Sequence, residues 1–316
     1  MKKIAMLFPG QGSQFQGMGK DFYETFSIAR QTFQEADEIL SYHLSRVMFE
    51  GPEELLTQTK HSQLAIFVNS VALLRTLQEQ QPSLVPFVCA GLSLGEYTAL
   101  YASGRIEMEE ALRLVRVRAE LMNQACELFP GTMAAVLSNL DASVIEGALK
   151  GLPDVWVANF NCPGQIVISG SKEGVEAGSA VLKEKGAKRI IPLTVHGAFH
   201  SGLMQSAQEG LAPFIEKSSL IESSVGFVMN VPGDFVHSLD AVRQNLTNQV
   251  TQSVRWDQGI LAIESKEVDL YLEIGCGKTL AGLNKKIGVR APTISLEKVA
   301  DLDGVMQQIE GAICSC

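Results

Sequence analysis

The sequence is short of the features that mark metal, membrane and nucleic-acid proteins. Its six cysteines stand at 89, 126, 162, 276, 314 and 316, with no C-x-x-C pair and no histidine spaced to complete a zinc site. Thiols dispersed through 316 residues fit a reducing compartment better than a disulfide framework. The closing Cys314-Ser315-Cys316 reads as a frayed tail. No apolar run approaches the roughly 18 residues of a membrane span. Lys2 and Lys3 before "IAMLF" imitate the start of a signal peptide, but Pro9 ends the run too soon for one. A cytoplasmic location is therefore expected. Basic residues number 26 against 35 acidic, a formal charge of −9. That balance disfavours a nucleic-acid backbone as the main partner and confines acidic ligands to local basic sites. Internal repeats and low-complexity segments are also missing.

What is present belongs to a folded protein. Hydrophobic residues make up 46% and charged residues 19%, enough for one large domain or two unequal ones. "KIAMLFPGQGSQ" predicts a buried strand entering a glycine-rich loop. "HSQLAIFVNSVALLRTL" has helical spacing at Leu64, Phe67, Val68, Val71, Leu74 and Leu77. "VPFVCAG" predicts a strand, "GEYTALYASG" a helix closed by Gly104, and "EEALRLVRVRAELMNQA" another helix. Strands followed by helices imply an α/β protein with a mainly parallel, helix-covered sheet.

The middle of the chain has a different rhythm. "GTMAAVLSN", "VWVANFN", "GQIVISG" and "AKRIIPLTV" read as strands. Two helices intervene, "DASVIEGALKG" with Asp141 as N-cap and "SKEGVEAGSAVLKEKG" with Ser171 as N-cap. Pro163-Gly164 suits a type II turn. The order β-α-β-β-α-β is that of a ferredoxin-like unit. It predicts an inserted small domain at 128–194 within a large domain of 1–127 and 195–316. "SVGFVMN" and "VDLYLEIG" then predict core strands, and "TLAGLNKKIG" and "LDGVMQQIEGAI" helices.

Two glycine loops invite comparison with nucleotide sites and fail it. In "GQGSQFQGMG" Phe15 occupies the last glycine position of G-x-G-x-x-G. In "GCGKT" Leu272 stands where a P-loop needs its first glycine. Both loops still leave a strand with backbone N–H groups suited to an anion or oxyanion. "GLSLG" (91–95) fits G-x-S-x-G between a strand and a helix, the setting that exposes a nucleophilic serine, here Ser93. The alternative is a tight turn carrying an incidental serine. A base is needed, and the histidines are His43, His61, His196, His200 and His237. His196 and His200 lie in "TVHGAFHSGLM", where the predicted insert rejoins the large domain, and His200 is the candidate. A structural histidine is the plainer reading. The only aspartates between Ser93 and His200 are Asp141 and Asp154, both in the insert, so an acidic triad member is missing. A carbonyl or amide could orient the base instead.

Arg118 is the most informative charge. It falls mid-stripe on an apolar face running Ala111, Leu114, Val115, Leu121, Met122, Ala125, while Arg113 and Arg116 fall on the polar flank. A buried guanidinium needs acceptors or an anion. The pattern leaves open a carboxylate clamp, an internal ion pair and a snorkelling chain.

Taken together, "FPGQGSQ", "GLSLGEYTAL", "RLVRVRAELM", "NFNCPGQIVISG", "GAFHSGLM", "NQVTQSVRW" and "EIGCGKTL" resemble, in order, the motifs of the malonyl-CoA:acyl carrier protein transacylases of fatty-acid synthesis. The resemblance spans essentially the whole chain. It implies an α/β-hydrolase-like large domain with a ferredoxin-like insert. Malonyl would pass from malonyl-CoA to the phosphopantetheine thiol of acyl carrier protein through a malonyl-serine ester, with no metal or redox cofactor. By residue, it implies Ser93 as nucleophile and His200 as general base and acid. Gln249 would hold that histidine through its main-chain carbonyl, and Gln11 and Leu94 would supply the oxyanion-hole N–H groups. Arg118 would grip the malonyl carboxylate, Phe199 would select malonyl over branched units, and Asn161 would reach the cleft without a catalytic part. Leu92 departs from the family's usual histidine, and Cys276 from its usual proline. The basic residues to examine for carrier docking are Lys188, Arg189, Lys285 and Lys286, each also readable as a solvated charge. A monomer is compatible with the sequence. The rival readings are a serine hydrolase such as a thioesterase, which would not need Arg118, and a non-catalytic binding module.

Overall fold

Five consecutive apolar residues, Ile4 to Phe8, are all buried, and their alternation serves two cores at once. Met6 and Phe8 face one side of the strand and Ala5 and Leu7 the other, as expected of a parallel strand covered on both faces. The computed structural model describes residues 3–195 and 197–313. Lys2, His196, Cys314 and Cys316 lie outside the described residues.

The chain runs β1 (Ile4–Phe8), α1 (Lys20–Thr25), α2 (Ser27–Leu40), α3 (Leu44–Glu50), α4 (Glu53–Leu56) and the long α5 (Thr59–Gln80). β2 (Val88–Gly91), α6 (Gly95–Ala102) and α7 (Met108–Leu128) follow. Next come β3 (Thr132–Leu137), α8 (Ala142–Leu149), β4 (Val155–Cys162), β5 (Gln165–Gly170), α9 (Lys172–Glu184) and β6 (Arg189–Pro192). After α10 (Gln205–Lys217) come β7 (Gly226–Met229), β8 (Asp234–Phe235), α11 (Leu239–Asn248), β9 (Val254–Arg255) and α12 (Trp256–Glu264). The last elements are β10 (Leu270–Ile274), α13 (Thr279–Ile287), β11 (Thr293–Leu296) and α14 (Leu302–Ile313).

Six strands form one sheet in the order β11-β10-β1-β2-β7-β8. All neighbours are parallel except β8, which turns back along β7. α5 and α7 bury their apolar residues against the Met6 face, and α12 and α13 against the Ala5 face. Helix α5 is buried nearly all round rather than along one stripe, because α2 and α7 both pack on it.

The second sheet has the order β6-β3-β5-β4-β9. Four of its strands come from the predicted β-α-β-β-α-β run and pair antiparallel. The fifth, β9, comes from residues 254–255 and runs parallel to β4, so the sheet is completed from outside 128–194. Helices α8 and α9 pack on one face through Ile145, Leu149, Val175 and Leu182. From the other face Met133, Ala158 and Val167 join the main core, which joins the two sheets through apolar contact. Ser171 caps α9 by accepting from the Gly174 N–H at 3.0 Å. Asp141 occupies the cap position of α8, but its side chain makes no capping hydrogen bond. Among the described residues no helix is long and apolar enough to cross a membrane, and no His, Cys, Asp and Glu cluster could hold a metal.

The turn from β2 into α6 explains its two glycines. A β-carbon on Gly91 would collide with the backbone of Gly95, and one on Gly95 with the Phe8 carbonyl. The helix therefore starts against the strand ends with Ser93 between them. We expect Gly91→Ala to destabilise the fold by at least about 1–3 kcal/mol through overpacking. Gly147→Ala, in an open position on α8, should stabilise by about 0.5–1 kcal/mol. Urea denaturation of both variants checks this, and equal midpoints would contradict it.

Candidate active site

The carboxyl ends of β1 and β2 open into a cavity of about 390 Å³ between the two sheets, the customary ligand position at an open α/β sheet. Gln11, Leu92, Ser93, Arg118, Asn161, Phe199 and His200 all line it. Ser93 and His200, 107 residues apart, meet there with Oγ 2.8 Å from Nε2. His200 Nδ1 lies 2.7 Å from the main-chain oxygen of Gln249. A carbonyl can only accept, so Nδ1 carries the proton and Nε2 is left to accept from the serine hydroxyl. The group facing Nδ1 is thus a peptide carbonyl and not an acidic side chain. The other described histidines are elsewhere: His43 faces Asp37, His61 faces Tyr42, and His237 stacks on Phe235.

Both residues of this pair have left-handed backbones, Ser93 with φ 52° and His200 with φ 55°. Such conformations cost non-glycine residues about 1–3 kcal/mol each. At Ser93 the surroundings hold it. Asn230 Oδ1 accepts from its N–H at 2.7 Å, and Gln249 Nε2 donates to its carbonyl at 2.9 Å. Asn230 Nδ2 also donates to the Gly91 carbonyl at 2.7 Å, tying the strand end to the turn.

Arg118 projects from α7 with 1% of its surface exposed. Nη1 donates to Gln63 Oε1, and Nη2 to Gln249 Oε1 at 2.9 Å and to Ser93 Oγ at 3.2 Å. Nε has no partner among the described residues, and the guanidinium lies 5.5 Å from the Tyr97 ring centroid. All three acceptors are neutral oxygens. The ion-pair and snorkelling readings of Arg118 therefore fail, since it touches no carboxylate and does not reach solvent. Arg113 and Arg116 do make surface pairs, with Glu109 and Glu120. Burial pulls the Arg118 pKa down from its usual value, opposed by Tyr97 and Glu96. Burial, reinforced by the Arg118 charge, holds the His200 pKa at about 4. The histidine is neutral near pH 7, the form that takes a proton.

Leu94, the N-cap of α6, is buried outside the cavity lining, so only its backbone is available. The N–H groups of Gln11 and Leu94 make no hydrogen bond among the described residues. The second glycine loop differs from expectation. Gly277 N–H is taken by Glu297, and the Leu280 and Ala281 N–H groups by Glu273, so the protein's own carboxylates fill the place of an anion. Cys276 is buried there with its sulfur 3.2 Å from Asn69 Nδ2. Phe199 forms one wall with Met122, Met133, Val167 and Leu193. The Asn161 Oδ1 is buried without a partner among the described residues. Gln63, Glu96 and Asn230 escaped the sequence reading. For Glu96 the available signal was an acidic residue in the apolar helix "GEYTAL".

Comparison with known proteins follows the same line. A Bacillus subtilis protein named malonyl CoA-acyl carrier protein transacylase is 41% identical over 314 residues, covering 98% of both chains. The crystal structure of MCAT from Streptococcus pneumoniae superposes with a TM-score of 0.91 at 38% identity, over 97% of this chain and 100% of that one. A malonyl-transacylase solved in complex with its type II PKS acyl-carrier protein gives a TM-score of 0.91 at 38% identity, over 96% and 99%. The family described as acyl transferase domain matches residues 5–289, a span that holds the serine, the histidine and the buried arginine together. The chain is a member of the acyl transferase domain family.

Proposed function

We propose that the protein transfers the malonyl group of malonyl-CoA to the phosphopantetheine thiol of acyl carrier protein, supplying extender units for fatty-acid synthesis. The observation that carries this reading is the position of Arg118 Nη2, 3.2 Å from the Ser93 oxygen. An acyl group esterified there and ending in a carboxylate two bonds beyond its carbonyl can reach the guanidinium, whose Nε is still unpaired. A thioesterase for uncharged acyl chains has no use for that cation.

The reaction is a double displacement. His200 Nε2 takes the Ser93 proton as Oγ attacks the thioester carbonyl. The backbone N–H groups of Gln11 and Leu94 hold the oxyanion, one such donor being worth roughly 2.7–4 kcal/mol. As the tetrahedral intermediate collapses, the C–S bond breaks and the His200 proton goes to the coenzyme A thiolate, leaving the ester on Ser93. The phosphopantetheine thiol then attacks that ester, its proton passing to His200 and from there to Ser93 Oγ. Gln249 keeps the imidazole tautomer fixed throughout. Arg118 anchors the free carboxylate in both halves, and Phe199 narrows the wall against branched units. Asn161 borders the cleft without joining the chemistry.

In this reading the parallel sheet and its helices form an α/β-hydrolase-like large domain of 1–127 and 195–316. The segment 128–194 is a ferredoxin-like insert roofing the cleft, and its strand order supports that assignment. No cofactor takes part, no nucleic acid or membrane is a partner, and a monomer is compatible with this reading. A cytoplasmic location accords with the four free, buried cysteines among the described residues. Lys188, Arg189, Lys285 and Lys286 are exposed and make no ion pair among the described residues. They supply the positive docking patches that an acidic carrier needs on a chain of charge −9.

Incubation with malonyl-CoA alone should accumulate one malonyl group per chain, discharged by acyl carrier protein much faster than by water. Rapid hydrolysis with no gain on adding carrier would instead make the protein a thioesterase. Arg118→Ala should lower malonyl kcat/KM by about 2–4 kcal/mol, tens to several hundred-fold, while leaving acetyl transfer less affected. The same variant should move the acid limb of Ser93 acylation from about pH 4 toward the ordinary histidine value, because neutral His200 is the base and Arg118 helps hold its pKa down. Equal losses for both acyl groups, with an unmoved limb, would leave Arg118 a structural part only.

A further inference from the structure

Glu96 sits on the first turn of α6, three residues beyond Ser93, and is fully buried. The chemistry above does not use it. Its Oε1 accepts from the Asn230 backbone N–H at 2.6 Å, and its Oε2 from Gln249 Nε2 at 2.8 Å. The other end of the same Gln249 amide, Oε1, accepts from Arg118 at 2.9 Å. A primary amide can sit either way round, and its neighbours decide which. A carboxylate only accepts, so together with the Ser93 carbonyl, which accepts from the same nitrogen at 2.9 Å, it draws the amide nitrogen and leaves the oxygen for the guanidinium. We propose that Glu96 is a positioning residue that fixes the orientation of the Gln249 side chain and, through it, the Arg118 clamp. The proposal rests on the malonyl-transfer reading.

The carboxylate is hard to replace. Glutamine at position 96 would bring an NH₂ that must face either the Asn230 N–H or Gln249 Nε2, donor against donor. Protonation has a related effect. Burial pushes the Glu96 pKa up to about 8, against the pull of the Asn230 and Gln249 donors and of the Arg118 charge. Tyr97 on the same helix and Arg118 from α7 are the titratable and charged groups coupled to it. Lowering the pH adds the proton, so the clamp loosens as pH falls, well above the His200 limb near 4.

The test is transfer, above about pH 8 where Glu96 is a carboxylate, to acyl carrier protein from malonyl-CoA and from acetyl-CoA by wild type, Glu96→Gln, Gln249→Leu and the double variant. Gln249→Leu keeps the main-chain carbonyl that holds His200. Glu96→Gln should lose about 10- to 100-fold in malonyl kcat/KM, mostly through KM, with a smaller loss for acetyl. If Glu96 acts through Gln249, the double variant is no worse than Gln249→Leu alone. Equal losses for the two acyl groups, or additive losses in the double variant, overturn the proposal. Should Glu96→Gln not fold, the pH dependence of malonyl KM decides. A rise on lowering pH through about 8 in wild type but not in Gln249→Leu supports the role, and a rise in both or in neither overturns it. Wild type that never malonylates Ser93 defeats the transfer reading as well. Normal wild type with an unmoved Glu96→Gln defeats the Glu96 role alone.

Discussion

The site is organised around a guanidinium buried among neutral oxygens. An uncompensated charge away from water is expensive, and Arg118 is 1% exposed, with only Gln63, Gln249 and the Ser93 hydroxyl to accept from it among the described residues. Its neighbours are bound by that constraint. Gln249 serves Arg118 with its side-chain oxygen, Ser93 with its side-chain nitrogen and His200 with its main-chain carbonyl. The same positive charge reinforces burial in keeping His200 neutral. Among the described residues the guanidinium thus has no carboxylate in direct contact. In the proposed reaction the acyl group supplies one.

A second constraint comes from the backbone. Ser93 and His200 both occupy left-handed conformations, and they come from segments 107 residues apart, after β2 and after β6. Glycines at 91 and 95 let α6 start against the ends of β1 and β2, while Asn230 ties the turn from behind. Local strain at Ser93 is therefore borne by contacts from distant parts of the chain. These contacts accompany a serine oxygen within hydrogen-bonding distance of the His200 ring.

Much of this was legible in the residues themselves. The parallel sheet was visible because fully buried strands are continuous apolar runs, and α7 because its stripe has a helical period with one misplaced arginine. Ser93 was visible because its glycines stand where a strand gives way to a helix. The role of Gln249 came only through family resemblance, since a main-chain carbonyl leaves no side-chain signature. Gln63 and Asn230 were illegible because a single polar residue acquires meaning only from a partner brought close by folding. Strands β8 and β9, of two residues each, are too short for any periodicity. The occupied loop at Gly277 misled because glycine spacing records backbone freedom and not which group takes the N–H.

The most direct test of the central claim is a structure of the chain after brief exposure to malonyl-CoA. The account predicts density continuous with the Ser93 oxygen, ending in a carboxylate paired with the Arg118 guanidinium. A three-carbon ester whose carboxylate points into solvent, or a malonyl group bound to any other side chain, would contradict it.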